Sequence, residues 1–340
     1  MKFMNGIQEI ADSVVAHGDD ADEIREHSGE TPLSGYIPPH ERFEKYDGDK
    51  CWQGHLREVN YEHDLIAANL SHEEAQELRT SDFEFAYVPK DDKQQCKEII
   101  RFIERHEWLG KMPTWLTHRF TWRLNVPDKP KILCGVIIMA TPNAFSNLMG
   151  ADMRHKEKLI ARGACISFGP KNLGSHIIMD SVKWMVKNTE FRFFTAYSDP
   201  DAKELGTIYQ ACSFTYLGQA SGTKNQYFNP AEPEKGWRGD KAFTERSEYV
   251  RHAKDLGIKF LPEWRKKGKV KWSAIPDEIA SQLKRAALDK KASCNKRTAS
   301  PKHKYVCVMG RGKKETRRLR KLLYSNNPKL PLEYPKNRGE

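Results

Sequence analysis

Three groups of residues have types and spacings that can do chemistry. The first is Ala164-Cys165-Ile166-Ser167-Phe168, which reads as a short buried strand, followed by Gly169-Pro170-Lys171-Asn172-Leu173-Gly174-Ser175, which reads as a turn. Ile177, Ile178, Ser181, Val182 and Met185 then recur at helical spacing. Strand, glycine-bearing turn and helix together aim N–H groups and the positive end of a helix at an anion, as a pyrophosphate requires. Lys171 adds a charge, Asn172 lies in the same turn, and the Ser175 hydroxyl adds a hydrogen bond. A plain strand-to-helix connection capped by Ser has the same pattern, which is neither a P-loop nor GxGxxG.

The second group is Tyr197-Ser198-Asp199-Pro200, then Gly206-Thr207-Ile208-Tyr209-Gln210. Asp199 falls at the end of a strand, where α/β sheets place ligands, and a carboxylate there can take a proton from an amine. Tyr209, on the following helix, can protonate a leaving thiolate. Asp199 is equally an N-cap with Pro at N1, and Tyr209 equally a core aromatic. The third candidate is His106, on the apolar face of a helix carrying Cys96, Ile99 and Ile103. His118 and His176 belong to no HxH or HxxxH pair, and the seven cysteines have no paired spacing, so a metal site is not indicated.

The elements that must position these groups follow from periodicity. Residues 55–80 read as helical, with Ser71 before Glu73 and Glu74 as a start signal. Phe83, Phe85 and Tyr87 alternate as a strand, and Asp91-Asp92 opens the helix bearing His106. Strands are predicted over 118–126, 131–140, 164–168, 191–197, 214–217 and 305–309. Helices are predicted from Ile177 to Asn188, from Pro200 to about Cys212, from Pro276 to Lys291, and over 313–324 as a basic amphipathic segment. A short helix over Ile7–Val15 is expected in the N-terminal extension. Alternation of β and α predicts an α/β fold with a mixed sheet flanked by helices. The last strand can pair with the 214–217 strand across an intervening insertion.

Four segments result: 1–80, an acidic extension; 81–219, the core; 220–302, a basic insertion; and 303–340, the last strand and basic tail. Their Lys+Arg and Asp+Glu counts are 7 and 18, 19 and 15, 20 and 10, and 11 and 3, in a chain of 340 residues with net charge +11. The blocked positive charge of the last third is the footprint of a nucleic-acid binder. Arg265, Lys266, Lys267, Arg317, Arg318, Arg320 and Lys321 are the candidate phosphate contacts, and Trp264 and Trp272 can stack bases. Mean hydropathy of −0.75 and the absence of any long apolar run exclude a membrane span. With no secretory signal read at the N-terminus and no cysteine framework, a cytoplasmic location is expected.

The order of elements resembles the GNAT N-acetyltransferase fold, which binds acyl-CoA between two splayed parallel strands. A closer resemblance is to the phage Mom family. It rests on Arg162 before the strand, Pro170-x-Asn172 and Ser175 in the turn, Tyr197-Ser198-Asp199, Gly206-Thr207-Ile208-Tyr209-Gln210-Ala211, and the late Lys304–Gly310 and Tyr334-Pro335-Lys336. The resemblance implies conversion of adenine in double-stranded DNA to N6-(carbamoylmethyl)adenine, protecting phage DNA from host restriction in the bacterial cytoplasm. It implies a donor site at Arg162 and Ser175, with Asn172 in the shared turn and acetyl-CoA or another acyl-CoA as cofactor; Gly169, Lys171 and Gly174 join it from the reading of the turn itself. Asp199, Tyr209, His106, Tyr197 and Ser198 become the catalytic candidates. Ligand spacing does not support iron. His106-Glu107-Trp108 departs from the family's His-Tyr pair. Two alternatives stay open: an acyl-CoA N-acyltransferase acting on another amine, and a non-catalytic nucleic-acid-binding protein on the same scaffold.

Overall fold

The computed structural model describes residues 50–336 except 114, 143–147, 220–223 and 267–268. The expected Ile7–Val15 helix and the acidic residues 1–49 lie outside them. The described chain divides into two compact units, one of 50–219 with 300–336 and one of 224–299.

The first unit is a seven-stranded mixed sheet. Helices α1 (Trp52–Ala68) and α2 (His72–Glu77) precede it. The expected single helical stretch is broken at Asn69, which takes a left-handed conformation (φ +52°). Ser71 then restarts the chain with a capping box, accepting from the Glu74 amide while its own amide donates to the Glu74 carboxylate. Strand β1 (Phe83–Val88) leads to α3 (Lys93–His106), which Asp92 caps as its position suggests. β2 (Leu116–Leu124) and β3 (Leu133–Ala140) follow as antiparallel neighbours. All eight β3 residues are buried, as a central strand covered on both faces requires.

β4 runs from Glu157 to Cys165, seven residues earlier than the predicted strand, because its first residues pair with β3 and β5 despite a charged sequence. The predicted strand residues 166–168 belong to the turn. α4 (Leu173–Asn188) crosses one face of the sheet, where a Cβ on Gly135 would run into Ile177. α3 covers the other face, its Glu98 bonded to Arg123. β5 (Phe193–Ser198) returns parallel to β4. The helix predicted from 200 to 212 is interrupted: Lys203 (φ +55°) and Gly206 (φ +68°) are left-handed, leaving a single turn at 200–202 and the short α5 (Thr207–Ala211).

β6 (Thr215–Gln219) forms the sheet edge, and β12 (His303–Val308) inserts between β5 and β6. The pairing of the last strand with 214–217 is thus present. α8 (Lys313–Asn326) buries Leu319 and Leu323 against Phe193, Val306 and Val308.

The second unit holds more than the one predicted helix. β7 (Lys224–Phe228), β8 (Arg238–Gly239) and β11 (Asn295–Ala299) form a three-stranded antiparallel sheet. α6 (Arg246–Asp255) packs on α7 (Asp277–Ala292) through Tyr249, Ala253, Leu283 and Ala287. β9 (Arg265–Lys266) and β10 (Lys269–Val270) make a hairpin between them in sequence. No described helix is long and apolar enough to cross a membrane.

Candidate functional site

The parallel pair β4–β5 makes the site. Its register has three steps, Glu157↔Phe193, Lys158↔Phe194 and Leu159↔Thr195, and ends there although both strands continue. Beyond Leu159 the β5-facing backbone of β4 has no strand partner, while its other edge stays paired with β3 to Cys165. Ala161 is an extra residue between Ile160 and Arg162, a β-bulge at the point where the strands part. This opening is the splayed pair that the sequence resemblance implies.

At the end of β4 the turn 166–172 is held from outside by α1. Arg57 donates from Nη2 to the Ser167 carbonyl (3.0 Å) and the Gly169 carbonyl (3.1 Å). The Asp64 carboxylate, 2% exposed, accepts from the Ser167 amide (3.1 Å) and hydroxyl (2.6 Å). His106 belongs to this clamp. It is buried, its Nε2 lies 3.7 Å from Asp64, and its ring stacks on Phe102. Its backbone carbonyl accepts from Gln53. His106 thus lies behind the turn, beside the carboxylate that holds Ser167.

Asn172 is the N-cap of α4, so Ser175 stands in the first turn rather than at the cap. Its hydroxyl donates to the Asn172 carbonyl (2.9 Å). Lys171 and Asn172 are exposed. Gly169 is needed because a Cβ there would lie 2.7 Å from Leu173 Cδ2. Gly174 brings the first two residue groups together: a Cβ there would lie 2.7 Å from Ile208 Cδ1, and the Ser175 carbonyl accepts from Cys212 Sγ at 3.7 Å. The glycine turn and the Tyr209 helix are thus neighbours.

At the end of β5, Asp199 caps the 200–202 turn by accepting from the Asp201 amide (3.1 Å), with Pro200 behind it. Its other oxygen pairs with Lys302 at 2.7 Å. The capping reading of this residue is thus present, and its carboxylate is paired with a lysine as well. Tyr209 packs against Phe214 and Tyr305, ring centroids 5.5 and 5.4 Å away. Burial first, then the charges of Glu204 and Glu107, raise its phenol well above the ordinary range, so it stays protonated. Tyr197 is pushed up to about 12 by burial and Glu157. Ser198 is buried, and its Oγ makes no hydrogen bond of good geometry beside the Tyr305 hydroxyl.

Two carboxylates that the sequence reasoning passed over complete the cluster. Glu204 is half-buried, and burial together with Glu107 and Asp199 pushes its carboxyl up to about 8. Glu107 is buried, accepts from the Gly110 amide at 2.8 Å and lies 3.8 Å from Arg162 Nε. Arg162 also donates to the Lys111 carbonyl (2.7 Å), tying the 107–111 loop to the bulge. Glu107 was visible as the departure in His106-Glu107-Trp108; Glu204 carried no signal, since only the break in the 200–212 helix turns it inward.

Among the described residues, no three His, Cys, Asp or Glu side chains converge as a metal site, so no residue is assigned to iron. The residues do fit an acyl-CoA. The unpartnered edge of β4 offers strand hydrogen bonds to an amide-bearing arm, and the first turn of α4 offers N–H groups to phosphate.

The nucleic-acid candidates divide between the units. On α8, Arg317, Arg318, Arg320 and Lys321 are all exposed, opposite the buried Leu319 and Leu323. In the second unit Arg265 and Lys266 are exposed on β9, and Lys267 lies outside the described residues. The tryptophans differ from expectation: Trp264 is 4% exposed in an apolar cluster with Ile275 and Ala280, and Trp272 packs edge-on against Tyr249 under Lys284. Trp264 serves the core of its unit, while Trp272 is half-buried at its edge.

No curated protein matches the sequence. Among solved structures, a ribosomal-protein-S5-alanine acetyltransferase from Vibrio fischeri is similar at 12% identity over 54% of this chain and 80% of its own, with a TM-score of 0.26. The model of the Mom protein family matches residues 97–266, half of the chain, from α3 through the opened strand pair and Tyr209 to β9. The chain belongs to the Mom protein family, a family of phage DNA-modification proteins.

Proposed function

We propose that this protein transfers a carbamoylmethyl group, or a related acyl-derived group, to the N6 amine of adenine in double-stranded DNA. The observation that carries the reading is the opening of β4 from β5 beside Tyr209, Glu204 and Asp199, in a member of the Mom family.

An acyl-CoA bound in the opening would supply an activated acyl group, whose transfer breaks the thioester, releases the coenzyme A thiol and leaves an amide on the amine. A carbamoylmethyl product would instead need its N–CH2 bond formed by displacement at carbon, from a donor other than that thioester carbonyl. The protein's own residues do the rest. α4 and its turn, braced by Arg57 and Asp64, hold the phosphate end. Tyr209, kept protonated by its surroundings, is the acid that would give its proton to a departing sulfur. A carboxyl poised near 8 suits the task of taking a proton from the adenine amine, and Glu204 has that property while Asp199 is held by Lys302. Adenine N6 lies inside the duplex, so the base must be extruded, and the cations of α8 would hold the backbone while that happens.

Nucleoside mass spectrometry tests the reading. DNA from a bacterial host expressing the protein should contain deoxyadenosine heavier by one carbamoylmethyl group, and Tyr209→Phe should remove it. A different added mass would keep the transferase and change the group. Unmodified DNA, with folded protein that releases free thiol from acyl-CoA in the presence of a small amine, would favour the acyltransferase alternative instead.

A further inference from the structure

A groove of about 550 Å³ lies between α5 and the C-terminal tail, lined by Leu205, Thr207, Gln210, Leu332, Tyr334 and Lys336. It joins two motifs that are more than a hundred residues apart in sequence. One wall is the Tyr334 ring, 38% exposed but fixed: its hydroxyl donates to the Phe214 carbonyl at 2.6 Å, and one face lies along Tyr305 at 25°. An aromatic ring already immobilised, with a face open to solvent, offers stacking at little cost in lost freedom. The facing wall carries the Thr207 hydroxyl and the Gln210 amide, and the amide is oriented by donating to the Leu205 carbonyl at 3.2 Å. An apolar face with an amide along its edge matches the face and edge of a nucleobase, adenine above all. Lys336 stands exposed at the rim, 3.9 Å from the carboxylate of Glu333, which also lines the groove, so the rim itself carries little net charge. The tail follows the cationic α8, and it is the exposed cations of that helix that favour a polyanionic strand over an apolar peptide.

We infer that this groove is a subsite for an unstacked base of the DNA strand, next to the base that reacts. It rests on the proposed action on DNA. Thr207 and Gln210 line the outer side of α5, whereas Tyr209, between them in sequence, is turned inward against Phe214 and Tyr305. A base in the groove is therefore back to back with Tyr209 across one helical turn and is a flanking base. Contacts to flanking nucleotides set the sequence context of enzymes that extrude a base.

The test uses the full chain and a short oligodeoxyadenylate containing one photoreactive 8-azidoadenine. After irradiation, the adduct should map to the tryptic peptides 204–224 and 330–336. Tyr334→Leu should weaken binding of plain oligodeoxyadenylate on the order of tenfold, a typical loss for a base-stacking aromatic. It should leave binding of an abasic oligonucleotide of equal length unchanged, and Tyr334→Phe, which keeps the ring and loses only its tether to the Phe214 carbonyl, should weaken binding less than Tyr334→Leu does. Adducts confined to other peptides, or equal losses for the two oligonucleotides, would overturn the subsite. So would an adduct abolished by free coenzyme A, because the groove would then hold the cofactor's adenine. Host DNA without modified adenine, combined with an adduct in the groove, would sink the transfer reaction and leave the subsite standing.

Discussion

Residue by residue, the site is a set of buried acids whose environments raise their proton affinities. Tyr209 is held as an acid, and Glu204 is poised near 8. Tyr209→Phe should lower the transfer rate about a hundredfold or more while the protein stays folded, as loss of a general acid does. Glu204 also bears on stability. Its folded value lies above the ordinary 4.5, so the native protein holds an extra proton between about pH 4.5 and 8. Stability linked to this group is complete below that window and is lost as pH rises through it, with a slope of at most about 1.4 kcal/mol for each step of one in pH. Glu204→Gln should therefore flatten the fall in melting temperature from pH 5 to 9 and stabilise the protein at the alkaline end, as calorimetry across that range would reveal. Asp64 is a buried side chain that accepts two hydrogen bonds from Ser167. Asp64→Ala leaves the Ser167 amide and hydroxyl without that acceptor and should cost about 1–3 kcal/mol in urea denaturation, as leaving buried donors unsatisfied does.

Among the elements, the break between Asp199 and Tyr209 matters most. A continuous helix, as periodicity suggests, would carry Tyr209 around to a different face. Left-handed Lys203 and Gly206 stop it, and Gly206 has no room for a Cβ because the Tyr305 ring lies against it. Gly206→Ala should cost at least about 1–2 kcal/mol from the left-handed backbone alone, and more from the collision with Tyr305. Equilibrium unfolding measures it, and a loss below a few tenths would contradict the geometry. The capping box at Ser71, the Asp92 cap, the stripe of α3 and the amphipathic α8 were all legible in sequence, because caps and helical periodicity are local. The first half of β4 was not. Glu157-Lys158 looks unlike strand, and only pairing with β3 and β5 makes it one.

Across the molecule as a whole, charge is the property that reaches beyond any one element. α8 presents Arg317, Arg318, Arg320 and Lys321 to solvent, and β9 presents Arg265 and Lys266. Replacing the four α8 cations by Gln should reduce the slope of log affinity for duplex DNA against log salt by about 0.9 for each phosphate left without its cation. Fluorescence anisotropy across a salt series reads this directly. A slope that stays the same would remove α8 from the interface and leave β9 as the basic surface to test.

The α/β class, most element positions, the family, the blocked charge and the residue groups around Ser175 and Tyr209 were readable from the chain before folding. Each of these is written in local periodicity, turn chemistry, composition or short motifs. Folding in three dimensions was needed to place the point where β4 and β5 part, to set His106 beside Asp64, and to bury Trp264 in a core. It was needed too for Glu107 and Asp199 to crowd Glu204 and for Tyr334 to fold back to Phe214. These depend on strand register, burial and contacts between distant segments, and a carboxyl's proton affinity is set by the neighbours that folding brings to it.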